Sequence, residues 1–203
     1  LLVSGAPMST PARLPAALGH DIVDAPLPPI RYGSFLKAHQ DVLAASVRLS
    51  VNGKVHHDQN SDWESRLEPA MRDAYHLAST LSAEDYALAI TRFHTVGRQL
   101  AVYMTDYDYI LTPTLTQLPA RLGMLTMDDE FRSFRNKVAQ YTTFLAIINA
   151  SGQPAASLPL YWTADGLPVG VQLIGRFGDD AGLLGLSAQL EEAAPWRGRR
   201  PPV

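Results

Sequence analysis

NASGQPAASLPL at residues 149–160 and DGLPVGVQLIG at residues 165–175 are the two stretches that decide the fold. Both combine small residues and prolines with short apolar runs. This pattern predicts two strands, Ala155–Leu160 and Val169–Gly175, joined by a turn at Asp165-Gly166. Small residues allow one backbone to approach another closely, and proline ends a strand because it has no N–H to donate. Stretch 149–160 is therefore either a loop that merely turns or a wall that comes close to another part of the protein.

Hydrophobic periodicity in the rest of the chain alternates between helices and short strands. Helices are predicted at 11–19, 31–50, 129–150 and 181–194, the third of them ending at Gly152. Two further helices are predicted from their caps. One begins near Asp62, after the capping box of Ser61 and Glu64, and a long one is capped by Ser82 and Asp85. Besides the hairpin, strands are predicted at 20–25 and 107–114, and a polar loop at 52–60. This alternation favours an α/β fold. The strands are few for an independent sheet, so some are expected to pair with strands that this chain does not contain.

The composition limits the classes of function. The chain has 203 residues, 46% of them apolar, which is enough for one hydrophobic core. The formal charge of −3, with both signs interspersed, gives no nucleic-acid footprint. No apolar run approaches the length of a membrane span, so no membrane partner is expected. The absence of cysteine is consistent with a cytoplasmic protein, which is the expected location.

The residue types that carry chemistry do not form a catalytic constellation in the sequence. There is no Gly-x-Ser-x-Gly elbow. The three lysines, Lys37, Lys54 and Lys137, show no sign of the burial and hydroxyl partner that a catalytic lysine needs, and each is expected to be a solvated surface amine. His56-His57-Asp58 is the only histidine cluster, and adjacent side chains of an extended loop point apart. We therefore predict no metal site.

An ordered set of motifs identifies a family resemblance. YDYILTPT (107–114) is followed by the two quoted stretches, then by DDAGLL (179–184), a helix and APW (194–196). This succession resembles the carboxyl-terminal part of the amidase signature family, most strongly from residue 84 to 197. LGHDIVDAP at 18–26 is similar to the segment that follows the catalytic core of that family. Residues 141–160 are similar to those of its 6-aminohexanoate cyclic-dimer hydrolases.

The resemblance implies a fold and a division of the chain. The fold is a partial amidase-signature α/β fold, with mixed sheet strands flanked by helices, incomplete without the amino-terminal half. Residues 1–30 are expected to link from the catalytic core, 31–106 to form a helical region, and 107–203 to supply sheet strands and packing helices. Stretch 149–160 would then be a wall packed against the missing half.

The resemblance also implies a reaction. Members of the family cleave carboxamides with a Ser–cis-Ser–Lys triad and need no cofactor. A neutral lysine accepts a proton through the bridging serine, and the second serine attacks the carbonyl. Those residues lie in the amino-terminal half of the family, and no lysine or serine of this chain matches their motif. No catalytic residue is assigned, and this chain alone is expected to be inactive.

Three residues are candidates for substrate binding, because in the family the helix before residue 149 borders the substrate cavity. Thr142 and Thr143 are predicted to face the acyl pocket, with core packing as the alternative. Asn149 is predicted to hydrogen-bond the backbone of the following loop and hold it rigid, with a simple helix C-cap as the alternative.

The expected partners are the amino-terminal half of the same polypeptide, a small-molecule amide and a second copy, because a half-sheet exposes an apolar face and unpaired edges. Two alternatives remain open at this point. The chain could be a non-catalytic binding or assembly module of the same fold, or one subunit of a split amidase.

Overall fold

The structure, a computed structural model that describes residues 2–3, 9–58 and 62–202, contains a four-stranded mixed sheet. The strands are β1 (Leu2–Val3), β2 (Tyr109–Pro113), β3 (Ala155–Trp162) and β4 (Pro168–Gly175). Their order is β1-β2-β4-β3, with β1 parallel to β2 and the other pairs antiparallel. The predicted strands at 107–114, 155–160 and 169–175 are confirmed, as is the mixed α/β character.

Seven α-helices lie in the described part of the chain: α1 (Ser9–Ala17), α2 (Tyr32–Asp58), α3 (Pro69–Ala78), α4 (Ala83–Tyr103), α5 (Phe131–Tyr141), α6 (Thr143–Ser151) and α7 (Asp180–Ala193). They divide between two compact units. The first unit comprises residues 1–29, 97–118 and 142–203 and contains the sheet. The second comprises 30–96 and 119–141 and is helical. None of the helices in the described residues is both long and apolar enough to cross a membrane.

In the first unit, one face of the sheet packs against α7. Leu111, Val171 and Leu173 have no exposed surface, and they contact the leucines that α7 presents at helical spacing, Leu183, Leu186 and Leu190. Asp179 is the N-cap of α7, and its carboxylate accepts a hydrogen bond from the backbone N–H of Gly182 at 3.1 Å. The helix predicted at 181–194 is confirmed.

The opposite face of the sheet is apolar at one end only. Ile110 and Ile174 lie there side by side, and they pack against Leu100 and Met104 of α4 and Ile148 of α6. The sheet thus has helices on both faces within the first unit. The other end of this second face is polar.

The second unit is held by close helix packing and by ion pairs to one buried carboxylate. Ala44 of α2 and Ala74 of α3 have no exposed surface, and they pack around Phe131 of α5. The buried carboxylate of Asp41 accepts hydrogen bonds from Lys37 at 2.7 Å and from Arg132 at 2.6 Å, which ties α2 to α5.

Three local predictions are wrong because tertiary contacts or proline decide the segment. The expected loop at 52–60 is helical as far as Asp58, since Asn52 accepts a hydrogen bond from Tyr75 of α3 at 2.9 Å. The expected strand at 20–25 is absent apart from an isolated bridge at Val23. The helix expected near Asp62 begins instead at Pro69, a residue suited to the first helical turn, after a short 3₁₀ helix. Ser61 lies outside the described residues.

The predicted helix at 129–150 is two helices. Thr142 lies between α5 and α6 with φ −108° and ψ 24°, outside the helical region. Two consecutive β-branched residues, Thr142 and Thr143, weaken helix formation at this point. The predicted end is confirmed, because Gly152 has φ 77° and its N–H bonds the carbonyl of Ile148 at 2.9 Å.

The predicted cap of α4 is confirmed and affects an acid. The hydroxyl and backbone N–H of Ser82 both donate to Asp85 Oδ2, at 2.7 and 2.9 Å, and the Asp85 N–H donates to the Ser82 hydroxyl at 3.0 Å. These bonds to Ser82, the side-chain bond first, lower the pKa of Asp85. Because the pKa is lower in the folded state, Asp85 stabilises the fold above the pKa of the unfolded chain. This contribution is lost as pH falls through the folded pKa.

We predict that Ser82→Ala raises the pKa of Asp85 towards its ordinary value, because the strongest hydrogen bond to the carboxylate is removed. The part of the acid-induced loss of stability that Asp85 causes is then smaller than in the parent chain and is complete at a higher pH. NMR titration of the Asp85 carboxyl carbon measures the shift. Ser79→Ala is the control, since the hydroxyl of Ser79 donates to the carbonyl of His76. An unchanged pKa in Ser82→Ala would contradict this account.

Candidate functional site

A row of polar side chains crosses the sheet on the face that α6 partly covers. Thr112 of β2 and Ser157 of β3 are both register partners of Gln172 of β4. Directly paired residues point to the same face, so the three side chains lie side by side. Two residues beyond Thr112, Thr114 lies beside Gly170. The backbone N–H of Thr114 donates to the Gly170 carbonyl at 2.9 Å.

Two hydrogen bonds join these side chains. Gln172 Nε2 donates to Thr112 Oγ1 at 3.1 Å, and both residues are only 3% exposed. The hydroxyls of Thr114 and Ser157 are 2.6 Å apart, and either can be the donor. Ser157 is exposed and Thr114 is half-buried. The row therefore changes from buried at Gln172 to open at Ser157.

Gly170 is required where it stands because of these hydroxyls. A Cβ at this position would lie 2.7 Å from Thr114 Oγ1 and 2.8 Å from Ser157 Oγ. Both distances are shorter than real Cβ contacts, so a side chain here would displace the hydroxyl pair. We call the space bounded by Thr112, Thr114, Ser157, Gly170 and Gln172 the Gly170 recess.

The chemistry of the recess is that of binding. None of its residues is charged, and a hydroxyl without a neighbouring base is a weak nucleophile. Hydroxyls and a carboxamide offer both hydrogen-bond donors and acceptors to a neutral polar group. The tyrosines of the first unit whose pKa is shifted, Tyr103 and Tyr109, do not supply a base either. Burial raises the pKa of Tyr103 and, together with Asp179, that of Tyr109, so both phenols stay protonated.

The predicted substrate-binding residues all lie in the first unit. Thr142 immediately precedes α6 and Thr143 begins it, and both are half-buried. From Thr143 to Ile148, whose side chain lies on the sheet, is about 7.5 Å along the helix axis. The role of the two threonines in contacting substrate stays a prediction.

Asn149 does not have the local contacts predicted for it. Its side chain is exposed near the end of α6, and no described residue hydrogen-bonds to its carboxamide. The alternative as C-cap is wrong, since Gly152 is the cap. The helix end is held instead by Gly152 and by the Ser151 hydroxyl, which donates to the Ile148 carbonyl at 3.1 Å. Its predicted contact with substrate stays a prediction.

In the described residues, Lys37 and Lys137 form ion pairs, and the side chains that could bind a metal do not cluster. Lys37 pairs with Asp41 at 2.7 Å and Lys137 with Asp129 at 2.6 Å, so both ammonium groups face carboxylates. Within 2–3, 9–58 and 62–202, no three histidine or acidic side chains are placed to share a metal ion.

Sequence reasoning missed the recess, although each of its residues lies in a motif quoted above. The signal in the sequence is alternation: Thr112 and Thr114 lie two apart, as do Gly170 and Gln172. This spacing places each pair on one face of its own strand. Only the register between strands shows that the pairs share a face.

We predict that Gly170→Ala lowers the free energy of unfolding by about 1–3 kcal/mol, because the added methyl group overpacks the recess. Gly185→Ala is a matched control, since a Cβ on Gly185 of α7 would meet nothing within 4 Å. That control is expected to be neutral or stabilising by up to about 1 kcal/mol. Urea denaturation measures both. Equal effects of the two substitutions would show that the recess is not tightly packed.

Solved structures share this arrangement of strands and helices. A 6-aminohexanoate cyclic dimer hydrolase, solved with substrate, superimposes with a TM-score of 0.87 at 26% identity, over 98% of this chain and 46% of that one. A bacterial aryl acylamidase of the amidase signature family matches with a TM-score of 0.74 at 22% identity, over 91% of this chain and 39% of that one. The second likeness shows the fold alone.

Curated relatives agree with the structures. The 6-aminohexanoate-cyclic-dimer hydrolase of Paenarthrobacter ureafaciens is 30% identical over 199 residues, 92% of this chain and 39% of that protein. The putative amidase AmiC of Mycobacterium leprae is 40% identical over 108 residues, 53% of this chain and 23% of that protein. The chain thus spans well under half the length of these relatives.

A family model settles the assignment. The model described as Amidase matches residues 8–184, which includes the whole Gly170 recess and α6. The fold is that of the family at the level of strand order and flanking helices, and the resemblance of the ordered motifs is confirmed. The chain belongs to the amidase family.

Proposed function

We propose that the chain is the carboxyl-terminal part of an amidase-signature hydrolase and forms one wall of its substrate cavity. The observation that carries this proposal is the match to the 6-aminohexanoate cyclic dimer hydrolase over 98% of this chain. The proposed reaction is hydrolysis of a carboxamide bond in a linear or cyclic amide. Water adds across the C–N bond, which gives a carboxylic acid and an amine.

The proposal divides the catalytic and supporting roles between the rest of the polypeptide and this chain, because no catalytic residue is assigned in this chain. Amide hydrolysis by a serine needs a nucleophile, a base and donors for the oxyanion. The recess supplies neutral hydrogen-bonding groups, and Lys37 and Lys137 are held in ion pairs. The Ser–cis-Ser–Lys triad implied by the resemblance would come from the remainder of the polypeptide. The proposed role of this chain is therefore to shape the substrate cavity and to position the reactive part of the polypeptide.

Within this proposal, residues 1–30 link to the catalytic part, 31–106 form the helical region, and 107–203 supply the sheet. Thr142, Thr143 and Asn149 of the α6 segment face the cavity. Self-association of the chain and a cytoplasmic location belong to the same proposal. Sheet edges that lack a neighbouring strand favour association.

The experiment compares two polypeptides: the 203-residue chain and the longest polypeptide that its reading frame encodes. Each is incubated with linear and cyclic amides, and release of primary amine is measured. We expect the chain alone to be inactive and the longer polypeptide to hydrolyse amides. Hydrolysis by the chain alone would refute the division of labour. Activity that appears only with a separate copurifying subunit would favour a split amidase, and a longer polypeptide without activity would favour a binding module.

We predict that Thr143→Val in the active polypeptide raises KM roughly fivefold, because one hydrogen bond to substrate of ordinary net strength is lost. The substitution preserves shape, so kcat should change less than KM. Thr91→Val is the matched control. Thr91 is an exposed helical threonine whose hydroxyl donates to the carbonyl of Ala87. Steady-state kinetics measure KM and kcat of both variants. An unchanged KM in Thr143→Val would assign Thr143 to packing.

A further inference from the structure

We propose that the Gly170 recess is a docking site for main chain. Its occupant would be an irregular segment with unpaired backbone N–H and C=O groups, from the remainder of the amidase-signature polypeptide. This inference rests on the proposed function and deepens it, because it names where and by what chemistry that remainder attaches.

The first step concerns polarity on one sheet face. At the end occupied by Ile110 and Ile174, helices cover the face through apolar side chains. At the recess, the same face presents Thr112, Gln172 and Ser157. Two hydrogen bonds join the side chains of the recess to one another, but the apolar side of a helix would leave their remaining donors and acceptors unsatisfied, which is unfavourable once water is excluded. The recess therefore suits a polar occupant.

The second step concerns charge. None of the recess residues is ionisable in the physiological range, so a carboxylate, ammonium or phosphate group would meet no opposite charge. The recess has both unused hydrogen-bond donors and unused acceptors. One of the two hydroxyls of Thr114 and Ser157 keeps a hydrogen to donate, whichever donates within the pair. In the described part of the chain, the side chain of Gln172 makes one hydrogen bond, through Nε2 to Thr112. A peptide unit offers one donor and one acceptor and matches this mixture.

The third step concerns space. Gly170 leaves the position of a Cβ empty between the two hydroxyls, so an approaching chain can come close to the β4 backbone. A regular helix has its own backbone groups satisfied and a diameter too large for such a gap. An extended or looped segment is narrow enough and has unsatisfied groups.

The choice of occupant follows from the length of the relatives. This chain covers 46% of the hydrolase structure that it matches, so more than half of such a polypeptide lies outside the matched region. The other face of the sheet already packs against α7. The recess end of the α6 face is thus one place in the described part of the first unit that has both open surface at Ser157 and unused hydrogen-bonding groups.

The test uses the absence of cysteine in this sequence. Ser157→Cys places a single thiol at the open side of the recess, and Ala188→Cys places one on the exposed surface of α7 as the control. The rate of reaction with a maleimide is measured in the chain alone and in the longest polypeptide of the reading frame. Peptide mapping assigns the label if other cysteines are present. We expect Cys labelling at position 157 to be about tenfold slower in the longer polypeptide and that at 188 to be unchanged, because thiol reactivity follows access.

A second pair of variants tests the chemistry. Gln172→Leu in the Ser157→Cys background keeps a similar volume and removes the carboxamide, and it is expected to restore much of the labelling rate. Gln189→Leu, the same change at an exposed glutamine of α7, should restore none. If the reading frame encodes no further segment, or if the longer polypeptide does not fold, the probe is a fusion. In it, this chain replaces the matched region of the Paenarthrobacter ureafaciens hydrolase.

The outcomes separate the inference from the proposed function. Equal labelling at position 157 in both polypeptides overturns the inference, even where amide hydrolysis is observed. Protection at 157 in a polypeptide without amidase activity supports docking and counts against the proposed function. Protection that appears only on addition of an amide, or that rises with the concentration of the chain alone, assigns the recess to substrate or to a second copy and overturns main-chain docking.

Discussion

The antiparallel register of β4 between β2 and β3 is the constraint on which the rest of the first unit depends. It pairs Leu111 with Leu173 on one face, and Thr112 with Gln172 on the other. The first face packs against α7, and the second carries the recess. A shift of one residue would exchange the faces, because the side-chain period of a strand is two. It would bury polar groups under α7 and expose leucines.

Backbone proximity explains the composition of the hairpin. At Gly170 two hydroxyls occupy the volume that a side chain would fill. At Gly175 a Cβ would lie 3.4 Å from Pro154 and 3.5 Å from the carbonyl of Asp179, in van der Waals contact with both. Strand β3 contains Pro159, and its register with β4 shifts between Leu158 and Tyr161. Small residues and prolines thus mark the places where chains meet closely or pairing is interrupted.

The chemistry of the chain is consistent with a supporting role in catalysis. The side chains of the recess are neutral, and in the second unit Asp41 pairs with Lys37 and Arg132. Groups arranged in this way fix geometry without supplying a base or a nucleophile. Under the proposed function, such a wall would determine which substrates fit and how rigidly the reactive part is held.

Sequence alone determined the α/β class, the strands of the hairpin and at 107–114, the cap at Ser82, and the family. These features depend on local chemistry: alternation, capping hydrogen bonds, and glycine at a left-handed position such as Gly152. Tertiary structure decided the continuation of α2 through Asn52, where Tyr75 of another helix supplies the hydrogen bond, and the break at Thr142. It also decided the recess, because residues 112, 157 and 172 become neighbours only when three strands adopt one register. No local pattern carries that information, since register is set by pairing between segments far apart in the chain.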